Sequence, residues 1–407
     1  NYVKPNDYVN TVVSDGAGGW YIGGEFTQVG AVARNYIAKI NADGSLNSWN
    51  PGADGYINTL ALSGNTLYVG GNFSNIGGQP RNSLASFNTT TGALNSWNPD
   101  APNGDITTIA IDGSTVYIGG NFSMVGSEFR YNIAALDAST GSVTTWAPDA
   151  DGGVTKILIN GGVAYVGGSF TLLGGQARNN IGAVNTSTGF ATAWDPDADE
   201  LVITMAISGT TLYVGGEFTT IGGASRDGGI AALSLSTGNA TSWNALGPTG
   251  GIVESLVVSG GLLYTGGYFG FIGGQPRLNL VALDLTTGLA NSWDPSIGGG
   301  GVICLATDGS GNIYAGGDFI SVGWSKRKFI AAFNATTGQV TSWAPEASNI
   351  VEELAFFNNT VYAGGDFSSI GGQSRNRIAG LNTTNGNATT FNPNPSAFAH
   401  IGDIVAA

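Results

Sequence analysis

The side chains that could do chemistry in this chain are carboxylates and aromatics. Acidic residues number 28 against 14 basic in 407 residues, for a net charge of −14. Paired carboxylates can serve as acid and base on a glycosidic bond, and Glu217, Glu254, Glu352 and Glu353 are available for such a polysaccharide lyase or glycosidase. Their near-periodic placement argues against it, because a catalytic site should break a repeat with several unusual groups together. Glu25, Glu217, Asp318 and Asp366 recur at one place in a repeated segment, where carboxylates could hold calcium. Asp149-x-Asp151 and Asp197-x-Asp199 add a weak calcium pattern, without the glycine and closing glutamate of an EF-hand. No other cofactor is implied.

One departure from the repeat could recognise a ligand. Trp324 stands where the usual copy has glycine, followed by Ser325-Lys326-Arg327-Lys328, the only basic cluster in the chain. Tyr268 and Phe271, one copy earlier, are aromatic where other copies are mostly polar. Together Trp324, Lys326, Lys328, Tyr268 and Phe271 form a candidate patch for a glycan or a surface protein. The single Cys304 excludes an internal disulfide and a cysteine-rich zinc site, and the single His400 argues against a histidine-based triad. Negative charge repels a phosphate backbone, so nucleic acid is not an expected partner. No apolar run approaches the length of a membrane span.

These groups sit on a repeat that runs the whole length. Gly-Gly-x-Phe occurs eight times, from Gly23–Phe26 to Gly364–Phe367, at steps of roughly 48 residues. Eight residues after each Phe comes an arginine: Arg34, Arg81, Arg130, Arg178, Arg226, Arg277, Arg327 and Arg375. A turn glycine, from Gly44 to Gly386, precedes Trp49, Trp97, Trp146, Trp194, Trp243, Trp293 and Trp343 by five residues, with Phe391 in the eighth copy. A proline follows two residues on, from Pro51 to Pro393, except at Ala245. Eight identical arginines read as ties between a loop and backbone carbonyls rather than as a polyanion site. The glycine pairs lack the lysine and helix of a phosphate loop and read as bulges or close approaches between copies. The tryptophans read as packing, one per copy.

Each copy contains four strand-like stretches. In the third these are 106–111, 115–122, 131–136 and 142–146, rich in Val, Ile, Thr and Tyr and separated by Gly and Asp turn signals. No stretch keeps a 3.6-residue period. The expected fold is all-β: an eight-bladed β-propeller with four antiparallel strands per blade. It would be a single domain over 1–407, with blades near 8–55, 56–104, 105–152, 153–200, 201–251, 252–301, 302–350 and 351–399. Residues 1–7 and 400–407 read as partial repeat strands that close the fold or continue into a longer chain, and the ending at Ala407 favours a fragment.

The run Gly70-Gly71-Asn72-Phe73-Ser74-Asn75-Ile76-Gly77-Gly78, followed by Arg81, resembles the delta-sixty repeat family of propellers. That family is found in large secreted or surface proteins of bacteria, and fungal cell-polarity landmark proteins carry related repeats. Ala135-Leu136-Asp137-Ala138-Ser139-Thr140-Gly141 with Trp146 also resembles the tryptophan-docking motif of eight-bladed quinoprotein-type propellers, one residue longer. Those enzymes usually need a vicinal cysteine pair, so only blade geometry is implied. The resemblance implies an extracellular or cell-surface location and a bacterial, type IX secretion context. The resulting expectation is a non-enzymatic binding, adhesion or scaffold module. The alternatives are the polysaccharide-active enzyme above and a rigid spacer with no ligand of its own.

Overall fold

β-Branched stretches closed by two-residue glycine turns make antiparallel hairpins. In the third repeat Asp105–Asp112 pairs with Thr115–Asn121, which pairs with Ile133–Asp137. Gly113, at φ 56°, opens the two-residue turn between Asp112 and Thr115. The computed structural model describes residues 9–391, apart from 18, 30, 31, 42–44, 102, 103, 227 and 248–250, together with the backbone of 403–405. Gly44, Pro393, His400 and the partial repeat at 1–7 lie outside the described residues. The same three-strand meander recurs in all eight repeats, and no helix occurs among the described residues. The first sheet also carries Asp403–Val405, parallel to Val9–Ser14.

The described residues fall into two units. One holds Asn1–Arg178, Gly182–Thr192 and Thr390–Ala407; the other holds Asn179–Ile181 and Ala193–Thr389. Within each unit the buried side chains group between consecutive repeats. Tyr68, Leu84 and Trp97 of the second repeat pack with Ile106, Val116 and Phe122 of the third. Tyr264, Leu280 and Trp293 of the sixth pack with Val302, Ile313 and Phe319 of the seventh.

The fourth stretch of each repeat differs from expectation. In the third repeat it makes one bridge, Leu136 to Val143, instead of a strand over 142–146. Thr144 donates its N–H to Ala135, but its carbonyl accepts from Arg130, so the ladder has no acceptor to continue with. The connection after the second strand, read as a turn, contains a short hairpin, Met124–Val125 with Glu128–Phe129.

Both glycines of the recurring pair are required by close approach. Opposite them the first strand bulges, as between Ile106 and Thr108 in the third repeat. A Cβ on Gly70 would lie 2.7 Å from Ile106 of the next repeat, and one on Gly71 would lie 2.0 Å from the Tyr56 carbonyl oxygen. The first glycine admits the neighbouring repeat, and the second admits the bulged strand of its own.

Candidate functional site

The repeated polar residues are occupied in building the scaffold. Arg130 donates from Nη1 to the Phe129 carbonyl and from Nη2 to the Thr144 carbonyl, at 2.7 and 2.8 Å. Arg34, Arg81, Arg178, Arg226, Arg277 and Arg375 make the same pair of bonds, each to the preceding residue and to the stretch before its tryptophan. Burial lowers the pKa of Arg34 and Arg226 from the usual arginine value. Arg327 differs, and its only side-chain bond among the described residues is to the Lys326 carbonyl, 3.3 Å away.

Each of the seven repeat tryptophans reaches forward into the next repeat. Trp97 Nε1 donates to the Asp137 carbonyl at 2.9 Å and Trp146 Nε1 to the Asn185 carbonyl at 2.8 Å. Trp49, Trp194, Trp243, Trp293 and Trp343 do the same toward Gly92, Ser234, Asp284, Asn334 and Asn382. The tyrosine of the second strand meets the ring edge-on, as Tyr117 does Trp146 at 5.1 Å between centroids. Phe391, with no N–H to donate, packs edge-on against Trp20.

Of the carboxylates considered for calcium, Asp318 and Asp366 have other partners. No cluster of three or more His, Cys, Asp or Glu side chains that could hold a metal exists among the described residues. Asp366 pairs with Arg377, and Asp318 accepts from the Gly301 N–H at 2.5 Å. Glu25 belongs to one unit, while Glu217, Asp318 and Asp366 belong to the other. The Asp-x-Asp loops have a structural task. Asp151 accepts from the N–H groups of Thr171 and Leu172 and from the Thr171 hydroxyl, fastening the hairpin of the next repeat. Asp54 and Asp199 hold equivalent N–H groups, and so does Ser348. Burial opposes the charge of Asp151, but these bonds outweigh it and hold its pKa below the usual carboxylate value.

Trp324 stands at the tip of the hairpin Ser321–Val322 with Ser325–Lys326, its side chain fully exposed at 106%. Lys326 and Lys328 are exposed beside it. Phe271 lies in the corresponding hairpin of the sixth repeat and is exposed, as is Tyr268 at the end of the second strand. Tyr268 is hydrogen-bonded to Asp318, and its pKa is pushed up to about 12, first by burial and then by the Asp318 and Glu254 charges. The Glu254 carboxyl is raised by burial and by the charge of Glu217. Glu217 and Glu254, separate in sequence, are therefore electrostatic neighbours. Cys304 is buried, with its sulfur 3.7 Å from the Val351 carbonyl oxygen, and burial pushes its pKa well up.

A second group went unremarked in the sequence. A cleft of about 550 Å³ between the third and fourth repeats is lined by Tyr131, Pro148, Asp149, Asp151, Leu172 and Phe190. Phe190 is 73% exposed, and Tyr131 and Leu172 are exposed as well. The ring of Phe129 stacks near Tyr131, at 6.4 Å and 15°. The sequence held a signal for this site, since tyrosine follows the repeat arginine where Asn35, Asn82, Asn179 and Asn376 stand in other copies.

A family described as Outer membrane protein assembly factor BamB matches residues 132–389. Domain of unknown function (DUF5122) beta-propeller matches residues 18–48 and 65–96. The crystal structure of the computationally designed Ika8 protein is similar with a TM-score of 0.61 and 16% identity, covering 92% of this chain and 96% of the designed one. At that identity the likeness concerns the fold alone. No curated protein matches the chain.

Proposed function

We propose, for a chain that belongs to the β-propeller family described as Outer membrane protein assembly factor BamB, that it is a non-enzymatic binding or scaffold module of the cell surface or extracellular space. In this reading residues 1–407 form one domain of eight blades in the delta-sixty manner, the single-bridge stretch counting as a fourth, outermost strand. The observation that carries the function is Trp324. A fully exposed indole at a hairpin tip, flanked by Lys326 and Lys328, has no role in the scaffold. Large aromatic groups left in water are what interfaces bury to greatest effect. The repeat arginines and tryptophans, by contrast, spend their polar groups internally. The ligand is a protein or a glycan, and a family description that names an assembly factor fits a surface that holds another molecule.

The test is binding of the full chain to immobilised polysaccharides and to purified surface proteins from its source. Trp324→Ala should weaken the retained interaction by about tenfold or more. Trp324 is solvent-exposed, so the variant should keep the thermal midpoint of the parent. A ligand held equally by parent and variant overturns the assignment of this patch. A second reading rests on Glu254, raised by burial and by the neighbouring Glu217 charge, as one carboxyl of a paired-carboxylate enzyme would be. Release of reducing ends from the same polysaccharides, lost in Glu254→Gln, would replace the binding module with that enzyme.

A further inference from the structure

In the cleft between the third and fourth repeats Tyr131 takes the place that Asn82 and Asn179 hold in the second and fourth repeats. After the proline of the second, third and fourth repeats the backbone enters the left-handed region, at Asp100 (φ 53°), Asp149 (φ 43°) and Asp197 (φ 53°). Aspartate tolerates that conformation and accepts hydrogen bonds there. In the second repeat Asp100 accepts from the Asn82 side-chain amide. Asp197 likewise accepts from the Asn179 amide at 2.6 Å. In the third repeat the asparagine is replaced by Tyr131, and Asp149 accepts from the Tyr131 backbone N–H at 2.9 Å instead. Among the described residues no donor reaches the second oxygen of Asp149, nor that of Asp100 or Asp197, and what sets the third repeat apart is the aromatic ring beside it. The tyrosine that displaced the amide contributes an exposed ring to the cleft.

The other walls indicate what would satisfy this oxygen. Leu172, Phe190, Pro148 and Ala147 are apolar, and the only charged lining residues are Asp149 and Asp151. A free carboxylate oxygen beside an exposed aromatic ring favours a cation, through an ion pair and through the ring face. A neutral sugar would leave most of its hydroxyls facing aliphatic carbon, at a cost in unmet hydrogen bonds. We propose that this cleft binds an extended peptide segment carrying Arg or Lys beside an apolar side chain. The cation meets Asp149 over the Tyr131 ring, and the apolar neighbour lies against Leu172 and Phe190. This site is in the other unit from Trp324 and stands or falls independently of it.

The experiment is fluorescence polarisation of the full chain with fluorescein-labelled Gly-Leu-Arg-Leu-Gly amide, beside the same peptide with neutral citrulline for arginine. The arginine peptide should bind about tenfold more tightly than the citrulline peptide and lose that advantage in Asp149→Asn. Asparagine keeps an acceptor for the Tyr131 N–H and tolerates the positive φ, so the loop should survive. Phe190→Ser, at an exposed position, should weaken both peptides by several-fold, with an unchanged thermal midpoint. Salt should weaken the arginine peptide more than the citrulline peptide. Equal affinity for the two peptides, insensitivity to Asp149→Asn, or no binding overturns the proposal. So does Asp149-dependent binding of a glucosamine oligosaccharide in preference to the peptide, which would make the occupant a cationic glycan.

Discussion

Asn82 with Asp100 and Tyr131 with Asp149 occupy the same two places in successive repeats. In the first pair one carboxylate oxygen accepts from a side chain of its own repeat. In the second the Tyr131 backbone N–H takes the place of that amide on the carboxylate, and an aromatic ring stands in water. The scaffold bonds around them are alike: Arg81 and Arg130 grip the same carbonyls, and Trp97 and Trp146 reach forward to equivalent acceptors. Chemistry becomes available in this molecule where one copy gives up an internal bond, while the shared frame stays intact.

The largest expected effect tests whether the frame is in fact shared. Trp97→Ala and Trp146→Ala should each cost about 3–5 kcal/mol, read as parallel falls in denaturation midpoint. A far smaller loss for Trp146→Ala would mean that the cleft rests on a different frame. Next comes the exchange itself. Tyr131→Asn should restore the side-chain amide bond to Asp149 and gain about 1 kcal/mol, with loss of arginine-peptide binding. Asn179→Tyr should lose a similar amount by removing the amide bond to Asp197. Stability unchanged in both would break the comparison.

A smaller effect concerns Glu254, where burial and the Glu217 charge raise the folded-state pKa. Its protonated form favours the fold, so stability is fullest below the ordinary glutamate value and declines as pH rises through the elevated one. Glu254→Gln should remove that decline and gain a few tenths of a kcal/mol at pH 7, after solvent screening is allowed for. A pH–stability profile identical to that of the parent would refute this. The smallest effect has the opposite sign. Asp151 is held below the ordinary value, so its contribution is present above about pH 4 and is lost as pH falls through the depressed value. Asp151→Ser, which copies Ser348, should keep the hairpin fastened and flatten only the acid limb of stability.

The all-β character, the period and the first three strands were legible, because β-branched runs and glycine turns act locally. The fourth stretch was not. Its residues look like strand, but Arg130 takes the Thr144 carbonyl from a distant place in the chain, and no propensity registers that competition. The same limit made Asp151 look like a calcium ligand, since its partners, Thr171 and Leu172, lie on another loop. Trp324 was legible as a departure from the repeat. The cleft was overlooked because Tyr131, Leu172 and Phe190 depart singly, in three different stretches, and become a group only once the strands pair.

The forward reach of the tryptophans bears on how the chain is made. Trp49 leaves the ribosome 43 residues before its acceptor Gly92, and Trp146 leaves 39 residues before Asn185. A repeat emerging N-terminus first therefore presents an undocked indole until its successor has been synthesised. Growth from the N-terminus adds one seam at a time, each completed by the newest repeat, and a pause in translation holds a single unfinished seam rather than many.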